Sequence, residues 1–88
     1  MKEITDILDK PILLEQMAEE CAELTHALLK YTRILRGENP TSISEIDAYA
    51  HVLEEFSDVI LCARTLDIPI NENQIQFKLD RWHAALAF

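Results

Sequence analysis

The sequence contains few residues that interrupt helices and no pattern typical of strands. One glycine and three prolines occur among its 88 residues. Because these residue types are the strongest breakers of regular structure, the long stretches without them predict long helices. No segment alternates apolar and polar residues with a period of two, which argues against a sheet and predicts an all-α fold.

Basic residues are half as frequent as acidic residues. Eight Lys and Arg against 16 Asp and Glu give a net charge of -8 and a pI near 4.7. This charge has the wrong sign for neutralising a phosphate backbone, so we expect no nucleic-acid partner. A single phosphorylated ligand remains compatible with such a chain if divalent metal ions bind with it.

Long apolar runs and a cysteine framework are also lacking. No segment approaches the ~20 apolar residues that span a bilayer, and Glu3 and Asp6 stand where a signal peptide would be apolar. We therefore expect no membrane partner and a cytoplasmic location. Cys21 and Cys62 stand among apolar residues in helical patterns, which predicts two buried free thiols rather than a disulfide.

The chain is short for the amount of apolar surface it carries. Its residues 1–88 are expected to form one small domain, and 49 % of them are hydrophobic. A single core of this size supplies only a few kcal/mol of net stability, so small domains often recruit a metal or a second subunit. Because one copy cannot bury all of this surface, we expect a homo-oligomer.

Breakers and capping residues divide the chain into three helical segments. Pro11 suits the start of the first helix and Gly37 its end, while Asn71 with Gln74 has the form of a capping box. The predicted helices cover residues 11–36, 42 or 44 to about 66, and 71 to about 86, with a loop at 37–42 and a short helical turn at 3–8.

Each long helix carries a wide apolar sector, found by advancing 100° per residue. On the first helix the sector contains Leu13, Leu14, Met17, Cys21, Leu24, Thr25, Leu28 and Leu29. On the second it contains Ile46, Tyr49, Val52, Leu53, Phe56, Val59, Ile60 and Ala63. We expect these sectors to be the core faces of a helical hairpin followed by a shorter third helix. Two such hairpins from two subunits would form a four-helix bundle.

An acidic pair borders the apolar sector of each long helix. Glu20 and Glu23 on the first helix, like Glu55 and Asp58 on the second, are three residues apart and project from one face. If the helices pack antiparallel, the four carboxylates converge at the edge of the core, where they require a positive partner. Mg²⁺ and Mn²⁺ prefer oxygen ligands and are the natural partners. From spacing alone, a solvated acidic face is an equally good interpretation.

The acidic pairs lie within motifs that resemble a known family. Residues 19–23, Glu-Glu-Cys-Ala-Glu, and 55–58, Glu-Phe-Ser-Asp, look like the E-E-x-x-E and E-x-x-D motifs of the MazG-like all-α nucleoside triphosphate pyrophosphohydrolases. Residues 54–60 are similar to the E-E-L-S-D-V helix of that family, and residues 78–83 resemble the K-x-x-R segment of its last helix. The resemblance covers residues 11–83, nearly the whole chain.

The resemblance implies a metal-dependent enzyme that acts as a dimer or a dimer of dimers. Such an enzyme hydrolyses a (deoxy)nucleoside triphosphate to the monophosphate and pyrophosphate. Carried over to this chain, the resemblance places Mg²⁺, replaceable by Mn²⁺, on Glu20, Glu23, Glu55 and Asp58, and phosphate contacts on Lys78 and Arg81. Hydrolysis also needs a base, for which Glu19 and Glu20 are the candidates. Gln16 and His51 stand beside the acidic residues and are candidates for a substrate pocket. The 31 residues between the two acidic motifs exceed the usual separation, which predicts a longer loop or longer helices.

Other interpretations of these residues remain open. The chain could be a non-catalytic nucleotide-binding or regulatory module, or a purely structural helical oligomer. Residues 23–26 fit the E-x-x-H signature of di-iron bundles, but Asp58 stands where the second histidine of that signature belongs. Lys78 and Arg81 are also ordinary cations for the last turns of a helix, and His51 could be a structural histidine.

Overall fold

The chain is mostly helical in the residues that the computed structural model describes, 3–38 and 43–86. Its four helices there are α1 (Ile4–Ile7), α2 (Lys10–Leu35), α3 (Glu45–Thr65) and α4 (Glu72–Ala85), and these ranges contain no strand. The predictions of an all-α fold and of two long helices followed by a shorter one are confirmed. Part of the predicted loop lies outside the described residues, as does residue 42, one of the two predicted starts of the second long helix.

Local side-chain and backbone interactions fix the helix ends. Asp9, Ser44 and Asn71 each accept a hydrogen bond from the backbone N–H three residues ahead, at 3.0 to 3.1 Å. Each bond satisfies a donor that a helix N-terminus leaves unpaired. After α2 and α3 the chain turns through Gly37 (φ 70°) and Asp67 (φ 54°), in the left-handed conformation that commonly ends a helix. These interactions explain why the predicted boundaries of the three main helices agree with the structure within one residue, when residue 44 is taken from the two predicted starts of the second helix.

Helices α2 and α3 pack against each other as an antiparallel hairpin. The rings of Tyr31 and Tyr49 lie 5.5 Å apart near the loop end, and Ala27 and Ala48 line a common cavity. Residues earlier in α2 therefore lie opposite residues later in α3.

The hairpin is held by a narrow buried seam. Four side chains are buried in the described part of the chain: Leu13, Ala27, Ala48 and Cys62. On each helix the two buried residues are fourteen positions apart, close to four full turns, so they lie on one line along the helix. Glu20 and Glu55 stand midway between the two buried residues of their own helix, so the seam runs through both carboxylates.

Most of each predicted core face is left uncovered by this packing. Leu14, Leu28 and Leu29 on α2 are exposed, as are Leu53 and Phe56 on α3. The prediction that the whole sectors are core faces is therefore wrong for a single chain. Each sector spans roughly 140 to 160° around its helix axis. One neighbouring helix covers only the edge of a sector that wide.

Cys21 belongs to the uncovered part of the sector and is exposed, so the prediction that it is buried is wrong. Cys62 is buried, and both cysteines are free thiols as predicted. The difference follows from the position of each residue around its helix. Cys62 lies on the seam line, whereas Cys21 is turned about 100° away from Glu20, which lies on that line.

The uncovered apolar residues of both helices lie on one side of the hairpin. On both α2 and α3, turning around the helix axis from the seam in the direction in which the chain winds leads to the uncovered apolar residues. Because the helices run in opposite directions and meet along the seam, the same rotation points to the same side of the hairpin. We call this side, with Leu14, Leu28, Leu53 and Phe56, the apolar face, and the opposite side, with Glu23, Lys30 and Arg33, the polar face.

Helix α4 is not part of this packing. Within residues 3–38 and 43–86, α2 and α3 are the only helices in extended contact, and no described residue of α4 is buried. The radius of gyration is 17.0 Å, whereas about 12 Å is typical of a compact chain of this length. The chain is therefore open, with α4 extending from the hairpin. None of the helices described is both long and apolar enough to cross a membrane.

Candidate metal-binding site

Three of the four carboxylates predicted to bind metal meet on the seam. One carboxylate oxygen from each of Glu20, Glu55 and Asp58 lies within 4.8 Å of the other two, and all three residues are half-buried. The antiparallel packing places position 20 opposite position 55, and Asp58 follows one helical turn later. We call these three residues the carboxylate cluster.

Two acidic residues near the cluster do not belong to it. Glu23, predicted as a fourth ligand, is exposed and lines a cleft on the polar face instead. Glu19, predicted as a general base, is exposed beside Glu20. The structure thus brings together three of the predicted ligands, and the metal-binding role of Glu23 stays a prediction.

Gln16 and His51 contact the cluster. Gln16 Nε2 donates to Glu20 Oε1 at 2.8 Å, and His51 Nε2 lies 3.1 Å from Glu55 Oε1, a hydrogen bond that requires the proton on Nε2. Each donor precedes its acceptor by one turn of the same helix. The side chain of Glu55 is 13 % exposed and that of His51 is 47 % exposed. Both predicted pocket residues are therefore partners of the carboxylates.

The cluster carries negative charge that no fixed cation balances. Among the described residues, no Lys or Arg forms an ion pair with Glu20, Glu55 or Asp58. Carboxylates that share a half-buried site repel one another and lose hydration, so a bound cation would stabilise them. Oxygens bound to one Mg²⁺ at ~2.1 Å stand about 3 to 4 Å apart, which small side-chain rotations would achieve here. The donor set therefore fits a hard divalent cation.

The thiol of Cys62 responds to the charge of the cluster. Burial raises the pKa of Cys62 above its ordinary value of 9.0, and the carboxylates of Glu20 and Asp58 raise it further, as does Cys21. Cys62 lies one turn after Asp58 on α3. The sequence analysis predicted a buried thiol at this position but did not connect it with the acidic residues. The four-residue spacing from Asp58 was the signal that could have done so.

A cleft of about 430 Å³ opens on the polar face next to the cluster. Its lining consists of Glu23, His26, Ala27, Leu29, Lys30, Arg33 and His51. His51 also hydrogen-bonds Glu55, so the cleft and the cluster adjoin. Successive steps of three, four and three residues join Glu23, His26, Lys30 and Arg33 and place them along one side of α2, a signal that the sequence contained.

Lys78 and Arg81, the predicted phosphate contacts, lie on α4 and not at the cluster. With Trp82 and Ala85 they line a separate groove of about 330 Å³, and the Arg81 guanidinium lies 5.9 Å from the centre of the Phe77 ring. Because α4 does not pack along the hairpin, a single chain does not bring these cations to the carboxylates. Trp82 is 69 % exposed, which leaves its side chain available for an interface.

Comparisons with protein-family models, with curated proteins and with solved structures found no match to this chain. The resemblance to MazG-like enzymes therefore depends on the sequence motifs alone. The convergence of Glu20, Glu55 and Asp58 is a separate observation, because motif spacing within each helix does not determine how two helices meet.

Proposed function

We propose that this protein is a Mg²⁺-dependent hydrolase that converts a (deoxy)nucleoside triphosphate to the monophosphate and pyrophosphate. The observation that carries the proposal is the meeting of three carboxylates from two helices, with which no Lys or Arg among the described residues forms an ion pair. The order of the acidic motifs and the later basic motif along the chain, which resembles the MazG-like enzymes, supports the choice of reaction. Mn²⁺ would replace Mg²⁺ because both prefer oxygen ligands.

In this proposal Glu20, Glu55 and Asp58 hold the ion, and Glu23 approaches it from one turn along α2. When bound, Mg²⁺ neutralises phosphate oxygens and lowers the pKa of a coordinated water. Gln16 and His51 fix the orientations of Glu20 and Glu55 through their hydrogen bonds. The side chain of His51 remains 47 % exposed, so part of it is accessible to a substrate.

The two candidate general bases have different surroundings. Glu20 belongs to the cluster and accepts a hydrogen bond from Gln16. Glu19 is exposed beside it and outside the cluster. We assign the general base to Glu19, since a carboxylate that binds the metal is a poorer proton acceptor than one that does not.

The proposal includes a homo-oligomer in which apolar faces meet to form a four-helix bundle. The accessible surface is 7432 Å², whereas a compact protein of 10.1 kDa exposes about 5,300 Å². The excess of roughly 2,100 Å² per chain is of the order that obligate dimers bury. Joining the apolar faces leaves both polar faces, and so both clusters, open to solvent. A partner's α4 would then supply Lys78 and Arg81 to the substrate phosphates.

A panel of ribo- and deoxyribonucleoside triphosphates with Mg²⁺, followed by detection of monophosphate and pyrophosphate, tests the proposed reaction. We expect both products with at least one substrate, and their loss in Glu20→Gln and Asp58→Asn. Glu15→Gln is the matched control, because Glu15 is an exposed acid on α2 outside the cluster. Full activity in Asp58→Asn would reject the site.

A non-catalytic nucleotide-binding module is the second candidate. The position of Lys78 and Arg81 away from the cluster favours it, because the single chain then lacks their contacts with phosphate. This candidate predicts that a triphosphate binds in the presence of Mg²⁺ without being converted. A purely structural oligomer predicts neither binding nor a metal-dependent change in melting temperature.

A further inference from the structure

We propose that the cleft lined by His26, Lys30, Arg33 and His51 is an anion-binding subsite for the pyrophosphate end of a polyphosphate chain. We call this group of four residues the basic row. The inference rests on the proposed function, because it assumes that the other end of the same ligand lies at the carboxylate cluster.

The charge of the basic row contrasts with that of the chain. The chain carries eight Lys and Arg against 16 acidic residues, yet Lys30, Arg33 and two of the three histidines surround one cleft. Glu23 is the one carboxylate in its lining, and Asp47 lines an adjoining cavity that shares Lys30 and His51. Such a local excess of cationic and hydrogen-donating groups favours a bound anion.

The cations of the basic row are not neutralised within the chain. In the ranges that the structure describes, the side chains of His26, Lys30 and Arg33 have no ion-pair or hydrogen-bond partner. In a chain with twice as many acids as bases, unpaired Lys and Arg beside each other are available for an external anion. Guanidinium and ammonium groups both bind phosphate oxygens through charge-assisted hydrogen bonds.

The geometry connects the basic row to the carboxylate cluster. Along α2 the order is Glu20 in the cluster, Glu23 at the border, and then His26, Lys30 and Arg33. The last three span seven positions, or about 10 Å of helix. His51 on α3 lines the cleft and hydrogen-bonds Glu55, so it touches both parts. A ligand with several linked phosphates could therefore bind the metal at one end and the basic row at the other.

The alternative is that Arg33 only stabilises the end of its helix. Arg33 is the basic residue in the last turn of α2, where a cation interacts favourably with the helix dipole. Arg64 has the same position in α3 but lines a groove with Phe56 and Ile60 instead of the basic row. Arg64→Gln is thus a matched control, since it removes an equivalent charge without touching the cleft.

Calorimetric titration of the full chain with inorganic pyrophosphate, in buffer containing Mg²⁺, tests the subsite without requiring turnover. We expect Lys30→Gln/Arg33→Gln to weaken pyrophosphate binding about tenfold or more, and Lys30→Arg to preserve it. Arg64→Gln should bind like the unmodified chain. A nucleoside monophosphate, which lacks the second phosphate, should lose much less affinity in the double variant.

The outcomes separate this inference from the proposed function. Pyrophosphate binding that depends on Lys30 and Arg33 supports the subsite even if no triphosphate is hydrolysed. Hydrolysis of a triphosphate with unchanged pyrophosphate affinity in the double variant would overturn the subsite and leave the enzyme proposal intact. Equal weakening by Arg64→Gln would also overturn it, because general loss of positive charge would then explain the effect. Melting curves of each variant verify that it is folded.

Discussion

Replacing Glu20 with Gln should stabilise the metal-free protein, although the side chain sits on the buried seam. One carboxylate oxygen of Glu20 lies within 4.8 Å of an oxygen from Glu55 and one from Asp58. Even in a fully aqueous dielectric, two like charges at that distance repel by about 0.9 kcal/mol. Glu20→Gln removes two such repulsions and keeps a polar group of the same shape beside Gln16.

The expected gain in the free energy of unfolding is therefore about 1 to 2 kcal/mol, after allowance for screening by salt. For a domain of this size that gain raises the melting temperature by roughly 4 to 16 °C. Thermal unfolding followed by circular dichroism in EDTA measures it. Glu15→Gln, an exposed acid outside the cluster, should shift the melting temperature by much less.

The sign of the effect should reverse when Mg²⁺ is added. A ligand at one hundred times its dissociation constant stabilises the folded state by about 2.7 kcal/mol. The unmodified chain should gain that stability with Mg²⁺, whereas Glu20→Gln should gain little because one ligand oxygen loses its charge. A Glu20→Gln variant that is less stable than the unmodified chain in EDTA would refute the reasoning about repulsion.

Three further predictions concern the rest of the chain. Leu28→Gln, on the apolar face, should shift the oligomer toward monomer in analytical ultracentrifugation, and an unchanged sedimentation coefficient would contradict the proposed bundle. Asp9→Ala removes the cap of α2 and should lower the free energy of unfolding in urea by about 1 kcal/mol. Because the pKa of Cys62 is raised in the folded chain, its contribution to stability is complete below the ordinary value of 9.0 and falls as the pH rises above it. Urea unfolding at a series of alkaline pH values should show the free energy of unfolding falling as the pH rises. That fall should be smaller in Cys62→Ala.

Helix boundaries were predictable because they depend on neighbouring residues. Gly37 adopts a positive φ after α2, and Asn71 caps α4 through a backbone N–H three positions ahead. Neither interaction requires knowledge of how the helices pack. Short segments of the sequence therefore contained the information that fixes the helix boundaries.

Burial was not predictable to the same degree because it depends on which edge of an apolar sector meets the neighbouring helix. Ala27 and Ala48 are small, so the helices meet where these residues are, and Leu28 one position away stays exposed. Periodicity locates the sector, but it does not choose the line of closest approach. Because the line of closest approach does not pass through Cys21, that residue stays exposed outside the core.

The candidate site was predictable in part for the same reason. Spacing within each helix identified Glu20, Glu55 and Asp58, which the structure brings together. It did not separate Glu23 from them, because Glu23 and Asp58 are each turned 60° from the seam residue of their own helix, and spacing treats the two alike. The α2 members of the basic row, His26, Lys30 and Arg33, lie on the side of α2 that faces neither α3 nor the apolar face.

A crystal structure of the chain grown with Mn²⁺, using anomalous scattering to locate the ion, tests the metal site most directly. We predict one anomalous peak within coordination distance of carboxylate oxygens from Glu20, Glu55 and Asp58. An absence of any peak there at saturating Mn²⁺, with the three side chains separated, would contradict the account.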